Sequence, residues 1–203
     1  IKIRDLNNYI DKEVSVRGWL HAKRGSNKFQ FLTLRDGSGI VQIVADAAMI
    51  PPEKFAEIQT LTQESCISVT GKAVPHQKLK DVTELQLSDM EFISGSVDYP
   101  ITPKEHGPDF LHNNRHLWLR STKQRAILSI RNEVVHSLRE FFYNKKFVLV
   151  DTPILTQAAG ESSENLFQLD YFKEGTATLA QTGQLYLESA IFSFGDVFCF
   201  GPT

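Results

Sequence analysis

Long hydrophobic runs are missing from this chain of 203 residues, and no stretch approaches the roughly 20 consecutive apolar residues that a membrane span needs. Cysteine is scarce as well. Cys66 and Cys199 stand far apart with no CxxC spacing. That is too few for a zinc site or a disulfide framework, and the usage points to a reducing cytoplasm. The six histidines show no metal-ligand spacing. His112 and His116 fall at i and i+4, but in an Asn- and Pro-rich stretch unsuited to a helix. No nucleophile–base pair stands out, and Cys199 lies in an apolar strand where it is expected to pack. The N-terminal IKIRDLNNYIDKEV has neither the apolar run nor the small-residue cleavage site of a signal peptide. Met is absent from position 1 and the chain stops in the apolar run FCFGPT, so both ends are expected to be cut points in a longer polypeptide.

What is present is ordinary in bulk and uneven in distribution. Hydrophobic residues make up 41% and charged residues 23%, the balance of a soluble globular protein. The length allows one large or two ordinary domains. A net charge of −2 predicts no nucleic-acid partner by itself. Between Val14 and Arg35, however, five bases (Arg17, Lys23, Arg24, Lys28, Arg35) occur with no acid. Such a strip is either a solvated charged face or an electrostatic footprint for nucleic acid.

Residues 1–95 alternate as a β-rich module. EVSVRGWLHAKR reads as a strand, with Val14, Val16 and Trp19 or Leu20 on its buried side. FQFLTLRDGSGIVQIVAD reads as a hairpin around Asp36-Gly37-Ser38-Gly39, residues suited to a turn with positive φ. PPEKFAEIQTLTQ reads as a helix, with prolines in its first turn and Phe55, Ile58 and Leu61 on one face. SCISVTGKAV and TELQLSDMEFIS are two further strands. Three strands, a helix and two strands is the order of an OB-fold barrel, which commonly binds single-stranded nucleic acid. Residues 96–120, rich in proline, read as a linker. From 121 the pattern turns helical, with Ile127, Ile130, Val134, Leu138 and Phe141 on one face. FVLVDTPIL follows as a strand in which Pro153 demands an edge or an end. FQLDYF and ATLAQ are expected strands, QLYLESAIFSF a helix and DVFCFG a strand. The expected class is α+β: a barrel, then an antiparallel-sheet domain.

Three segments, in order, resemble the aspartyl/asparaginyl branch of the class II aminoacyl-tRNA synthetases. RGWLHAKRGSNKFQFLTLRDGSGIVQIV is similar to that branch's anticodon-binding barrel. The long helix leading into FVLVDTPILT is similar to motif 1, and QTGQLYLESAIFSFGDVFCFGPT to the amino-acid pocket and the opening of motif 2. The resemblance implies a truncated class II catalytic domain over 121–203.

It also implies site residues. Phe31 would be the stacking platform for the middle anticodon base, although a core position beside Phe29 is the alternative. Arg24 would hold phosphate or base, Gln42 would read a base edge, and Glu84 would accept a hydrogen bond if the loop before it keeps register. Pro153 would stand at a homodimer interface. Glu161 would fold over the bound amino acid from a mobile lid, QAAGESSENLF, with Glu164 as the competing candidate and Ser162 and Ser163 where relatives have glycines. Thr182 and Gln184 would accept from the substrate α-ammonium. Aspartate-specific relatives carry a lysine where Leu187 stands. A carboxylate without that cation would be costly to bury, whereas a carboxamide would not. Glu188, next to it, would repel a second carboxylate.

The implied activity is ATP-dependent ligation of asparagine to its tRNA through an aminoacyl-adenylate. The cofactors would be ATP and Mg2+, with their main ligands beyond residue 203. The triplet Gly201-Pro202-Thr203 stops one residue before the family's motif 2 arginine, so no catalytic residue is expected within this stretch. Three other readings remain open. One is an aspartyl enzyme of relaxed specificity. Another is an amidating paralogue, of a kind that generally lacks the barrel. The third is a non-catalytic OB-fold protein that binds tRNA.

Overall fold

A computed structural model describes residues 1–76, 78–157 and 166–201. The chain divides into two compact units, Ile1–Phe110 and Leu111–Thr203.

The first unit is a closed five-stranded barrel. β1 (Glu13–Gly25), β2 (Phe29–Arg35), β3 (Ile40–Asp46), β4 (Cys66–Pro75) and β5 (Thr83–Ser94) run in the order β1-β2-β3-β5-β4, and α1 (Pro52–Thr60) lies between β3 and β4. Alternation fills the barrel. Val14, Val16 and Leu20 of β1 meet Leu32, Leu34, Ile43, Ile67, Val69, Leu85 and Met90 in one buried cluster. Leu20 takes the inward place; Trp19 is 41% exposed. Gly18 is required by barrel closure, since a Cβ there would lie 2.4 Å from the Arg35 carbonyl oxygen.

The β2–β3 turn departs from expectation. Neither Gly37 nor Gly39 adopts positive φ. Asp36 builds the turn instead: its Oδ1 accepts from Ser38 N at 2.6 Å, Ser38 Oγ at 2.7 Å and Gly39 N at 2.8 Å, and its Oδ2 from Ile3 N at 3.0 Å. A side chain that folds back on the next backbone N–H groups does what a left-handed glycine would otherwise do. Burial alone would raise the Asp36 pKa, but the hydrogen bonds from Ile3, Ser38 and Gly39 outweigh it, and the carboxyl sits below its ordinary value.

A buried ion pair closes the far side of the sheet. Arg35 Nη2 donates to both Glu64 carboxylate oxygens, at 2.9 and 2.8 Å, under the Trp19 ring. Glu64 holds a left-handed φ of 65°, and its N–H donates to the Leu20 carbonyl at 2.7 Å.

α2 (Pro108–Asn113) spans the division between the units and α3 (Arg115–Trp118) follows in the second, so the stretch read as a linker contains two short helices. α4 (Thr122–Asn144) follows, its start capped by Ser121 Oγ, which accepts from Gln124 N. Its expected apolar stripe exists but none of it is buried. Ile127, Ile130, Val134, Leu138 and Phe141 are 41–65% exposed. The helix is anchored on the flank of that stripe, where Phe142 stacks on Phe198 with ring centroids 4.6 Å apart.

The segment FVLVDTPIL is not one strand. β6 (Val148–Leu149) pairs with the last strand, and β7 (Leu155–Thr156) joins a different sheet with β8 (Gln168–Asp170) and β9 (Thr176–Leu179). Pro153 stands between them. Proline has no N–H for a ladder and restricts the residue before it, so the chain changes sheets there. The β7-β9-β8 sheet is antiparallel, as expected. The pair formed by β6 and β10 (Val197–Phe198) is parallel. α5 (Gln184–Phe194) connects β9 to β10. Among the described residues, no helix is long and apolar enough to cross a membrane.

Candidate nucleic-acid interface and amino-acid pocket

The outer face of the barrel gains its chemistry from one extra residue. In the first half of β1, even-numbered residues point inward. Between Leu20 and Ala22 the register against β2 slips, since Leu20 faces Leu34 while Ala22 already faces Thr33. His21 is therefore the extra residue of a β-bulge, and beyond it the faces exchange. Arg24, which strict alternation would send into the core, now lies opposite Phe31 on the outside, with its guanidinium 5.6 Å from the ring centroid.

Lys23 takes the inward side in its place. Its ammonium donates to the carbonyls of Ile58, Gln59 and Leu61 at the end of α1, capping that helix from a strand. Burial lowers the Lys23 pKa.

Arg24 begins a polar chain across the sheet. Its Nη2 donates to Gln42 Oε1 at 3.4 Å, and Gln42 Nε2 donates to Glu84 Oε2 at 3.1 Å. Glu84 is opposite Val74 on the β4–β5 ladder, so the loop before it does not displace it. All four residues singled out in the sequence thus line one groove of about 790 Å³. Phe31 is only half-buried, on the same outer face as Phe29, which is 41% exposed. Sequence reasoning missed Met49, His76 and Lys78, which also line the groove. Their signal was weak, because two come from the β4–β5 loop, whose path is set by a turn rather than by alternation. A groove with exposed aromatic rings, cations and amide or carboxylate edges suits unstacked bases on a phosphate backbone.

In the second unit, α5 begins at a tight junction. A Cβ at Gly183 would lie 2.7 Å from Thr152 Oγ1 and 2.9 Å from Cys199 Sγ, so any larger residue would force those side chains to shift. Thr182 Oγ1 accepts from Gln184 N at 3.2 Å, and one turn on, Gln184 Nε2 donates to Glu188 Oε1 at 3.4 Å. Leu187 is half-buried beside them. Thr182, Gln184, Leu187 and Glu188 are therefore gathered at one helix start. They do not line a cavity of about 930 Å³ in this unit. That cavity opens on the other side of α5, around Thr156, Tyr171, Phe172 and Tyr186. Glu161, Glu164, Ser162, Ser163, Pro202 and Thr203 lie outside the described residues. Among the described residues, no three His, Cys, Asp or Glu side chains stand together as metal ligands would.

Residues 14–93 match the OB-fold nucleic acid binding domain, and residues 107–203 match tRNA synthetases class II (D, K and N). The chain thus joins a closed OB-fold barrel to part of a class II tRNA synthetase domain. It is similar to the asparagine–tRNA ligase of Chloroflexus aurantiacus, 46% identical over 201 residues, which is 99% of this chain and 46% of that protein. It is also similar to the asparaginyl-tRNA synthetase of Pyrococcus horikoshii, solved with asparaginyl-adenylate. There the TM-score is 0.91 and the identity 30%, over 100% of this chain and 47% of that one. A putative aspartyl-tRNA synthetase from Leishmania major Friedlin gives a TM-score of 0.85 at 26% identity, over 100% of this chain and 42% of that one. The chain spans less than half the length of these relatives, and the fold alone does not separate asparagine from aspartate.

Proposed function

We propose that this chain is the anticodon-reading and amino-acid-selecting portion of an enzyme that ligates asparagine to its tRNA through an aminoacyl-adenylate. In this reading residues 1–95 form the anticodon barrel, 96–120 connect, and 121–203 begin the catalytic domain. Arg24, Phe31, Gln42 and Glu84 read the anticodon. Thr182, Gln184, Leu187 and Glu188 hold the amino acid, and Glu161 closes over it. Support for the first set is their convergence on one groove.

Support for the second set is chemical. Gln184 spends its amide N–H on Glu188 and keeps Oε1 available for an ammonium group. Leu187 carries the choice of substrate. Beside a leucine, the side-chain carboxylate of aspartate would lose water without gaining a cation, at a cost of several kcal/mol, whereas a carboxamide carries no charge to compensate. Glu188 repels a carboxylate and can accept from the amide N–H of asparagine.

The likeness to the aspartyl neighbour supports a second reading, an aspartyl enzyme of relaxed specificity. ATP and Mg2+ belong to the proposal as reactants of the adenylate step, their main ligands lying beyond residue 203. Cytoplasmic location and a homodimer complete it. Amino-acid-dependent pyrophosphate exchange, run on the chain extended to its full length, tests the proposal. Exchange with asparagine and not aspartate is expected. Leu187→Lys should lower exchange with asparagine at least tenfold and raise exchange with aspartate. Aspartate-dependent exchange by the unaltered enzyme would select the second reading.

A further inference from the structure

The polar chain that starts at Arg24 does not stop at Glu84. The Glu84 side chain is only 8% exposed, and a carboxylate so far out of water needs donors around it. Among the described residues it has two polar neighbours: Gln42 Nε2 at 3.1 Å and His76 Nε2 at 3.9 Å, the latter an electrostatic approach rather than a hydrogen bond.

The other nitrogen of His76 fixes which one carries the proton. Nδ1 accepts from Lys78 N at 3.1 Å and from Leu79 N at 3.2 Å, so it has no hydrogen of its own. The hydrogen sits on Nε2 and points toward Glu84. The same ring therefore performs two tasks. One edge folds the β4–β5 loop, closed at its base by His76 N donating to the Val82 carbonyl at 2.7 Å, and so places Lys78 in the groove. The opposite edge faces the carboxylate.

We propose that His76 is a positioning residue for base reading in this groove. It steadies the Glu84 carboxylate, which in turn holds the Gln42 amide with Nε2 toward Glu84 and Oε1 toward Arg24. An amide free to flip presents donor and acceptor interchangeably and loses its power to tell bases apart. Loss of His76 thus costs discrimination more than affinity. This inference rests on the groove being the anticodon site.

The two edges can be separated. Asn places an oxygen where Nδ1 lies and can still fold the loop, but does not reach Glu84. Gln places an amide nitrogen near the position of Nε2, within reach of Glu84. The experiment uses the 203-residue chain and fluorescence anisotropy. Its probes are an anticodon stem-loop RNA bearing GUU and three others with one anticodon base replaced in each, alongside thermal midpoints. His76→Asn is expected to lose about fivefold in the ratio of GUU to altered-loop affinity, the net worth of one ordinary hydrogen bond such as that steadying the Gln42 amide, with little change in midpoint. His76→Gln should recover most of that ratio. If His76→Asn discriminates as the unaltered chain does, or His76→Gln fails to recover the ratio, the role assigned to His76 is wrong while the anticodon site stands. If the unaltered chain shows no preference for the GUU loop, both fall.

Discussion

At the scale of single residues, function hangs on side chains that a barrel could hold in either of two environments. Phe31 illustrates this. Alternation alone leaves it as core or platform, and the fold places it half-exposed in the groove beneath Arg24. Phe31→Ala should weaken binding of a GUU stem-loop by about 1–3 kcal/mol, the usual worth of a base–aromatic stack, while Phe31→Trp retains it. Titration of the RNA against each variant checks this. Asp36 acts on stability instead. Its pKa is lowered in the fold by the Ile3, Ser38 and Gly39 hydrogen bonds, against the pull of burial. A depressed carboxyl contributes stability that is fully present above its unfolded value near 3.9 and fades as pH falls through the folded one. Thermal midpoints should therefore drop below about pH 4, and Asp36→Asn should flatten that part of the curve. Gln42 and Glu84 were legible in the sequence by resemblance. Their hydrogen bond joins residues 42 positions apart and could not be read there.

At the scale of elements, the strands of the barrel follow their sequence patterns within a residue, because each alternates on one buried face, while α1 ends three residues sooner than its pattern suggests. The exceptions arise where backbone geometry overrides pattern. Pro153 splits an apparently continuous strand into pieces of two sheets. His21 inserts a bulge that no periodicity reveals, since LHAKR reads equally well with or without an extra residue. Removing His21 should abolish the bulge and leave Ala22, Lys23 and Arg24 opposite Thr33, Leu32 and Phe31, because the residue lost is the one without a cross-strand partner. The expected results are an RNA affinity close to that of the unaltered chain and a retained Lys23 cap on α1, since the facing of both side chains is kept. A large loss of affinity in the deletion variant would show that His21 is not merely an extra residue in the strand.

At the scale of the whole molecule, the apolar stripe of α4 is open along its length, larger than the scattered apolar residues of an ordinary surface. In the proposed reading it meets a second copy. Ile130→Glu in the full-length enzyme should then shift sedimentation from dimer to monomer, and an unshifted dimer would remove the stripe from that role. The sequence by itself determined the barrel, the chain order of its strands and the leucine at 187, because these depend on local periodicity and residue identity. Only the tertiary structure decided which side of the barrel Arg24 faces, how His76 divides its two nitrogens between a loop and a carboxylate, and that Asp36 rather than glycine makes the turn. Those outcomes depend on strand register and on which polar atoms are left to satisfy one another once water is excluded, and neither is encoded in any single stretch of chain.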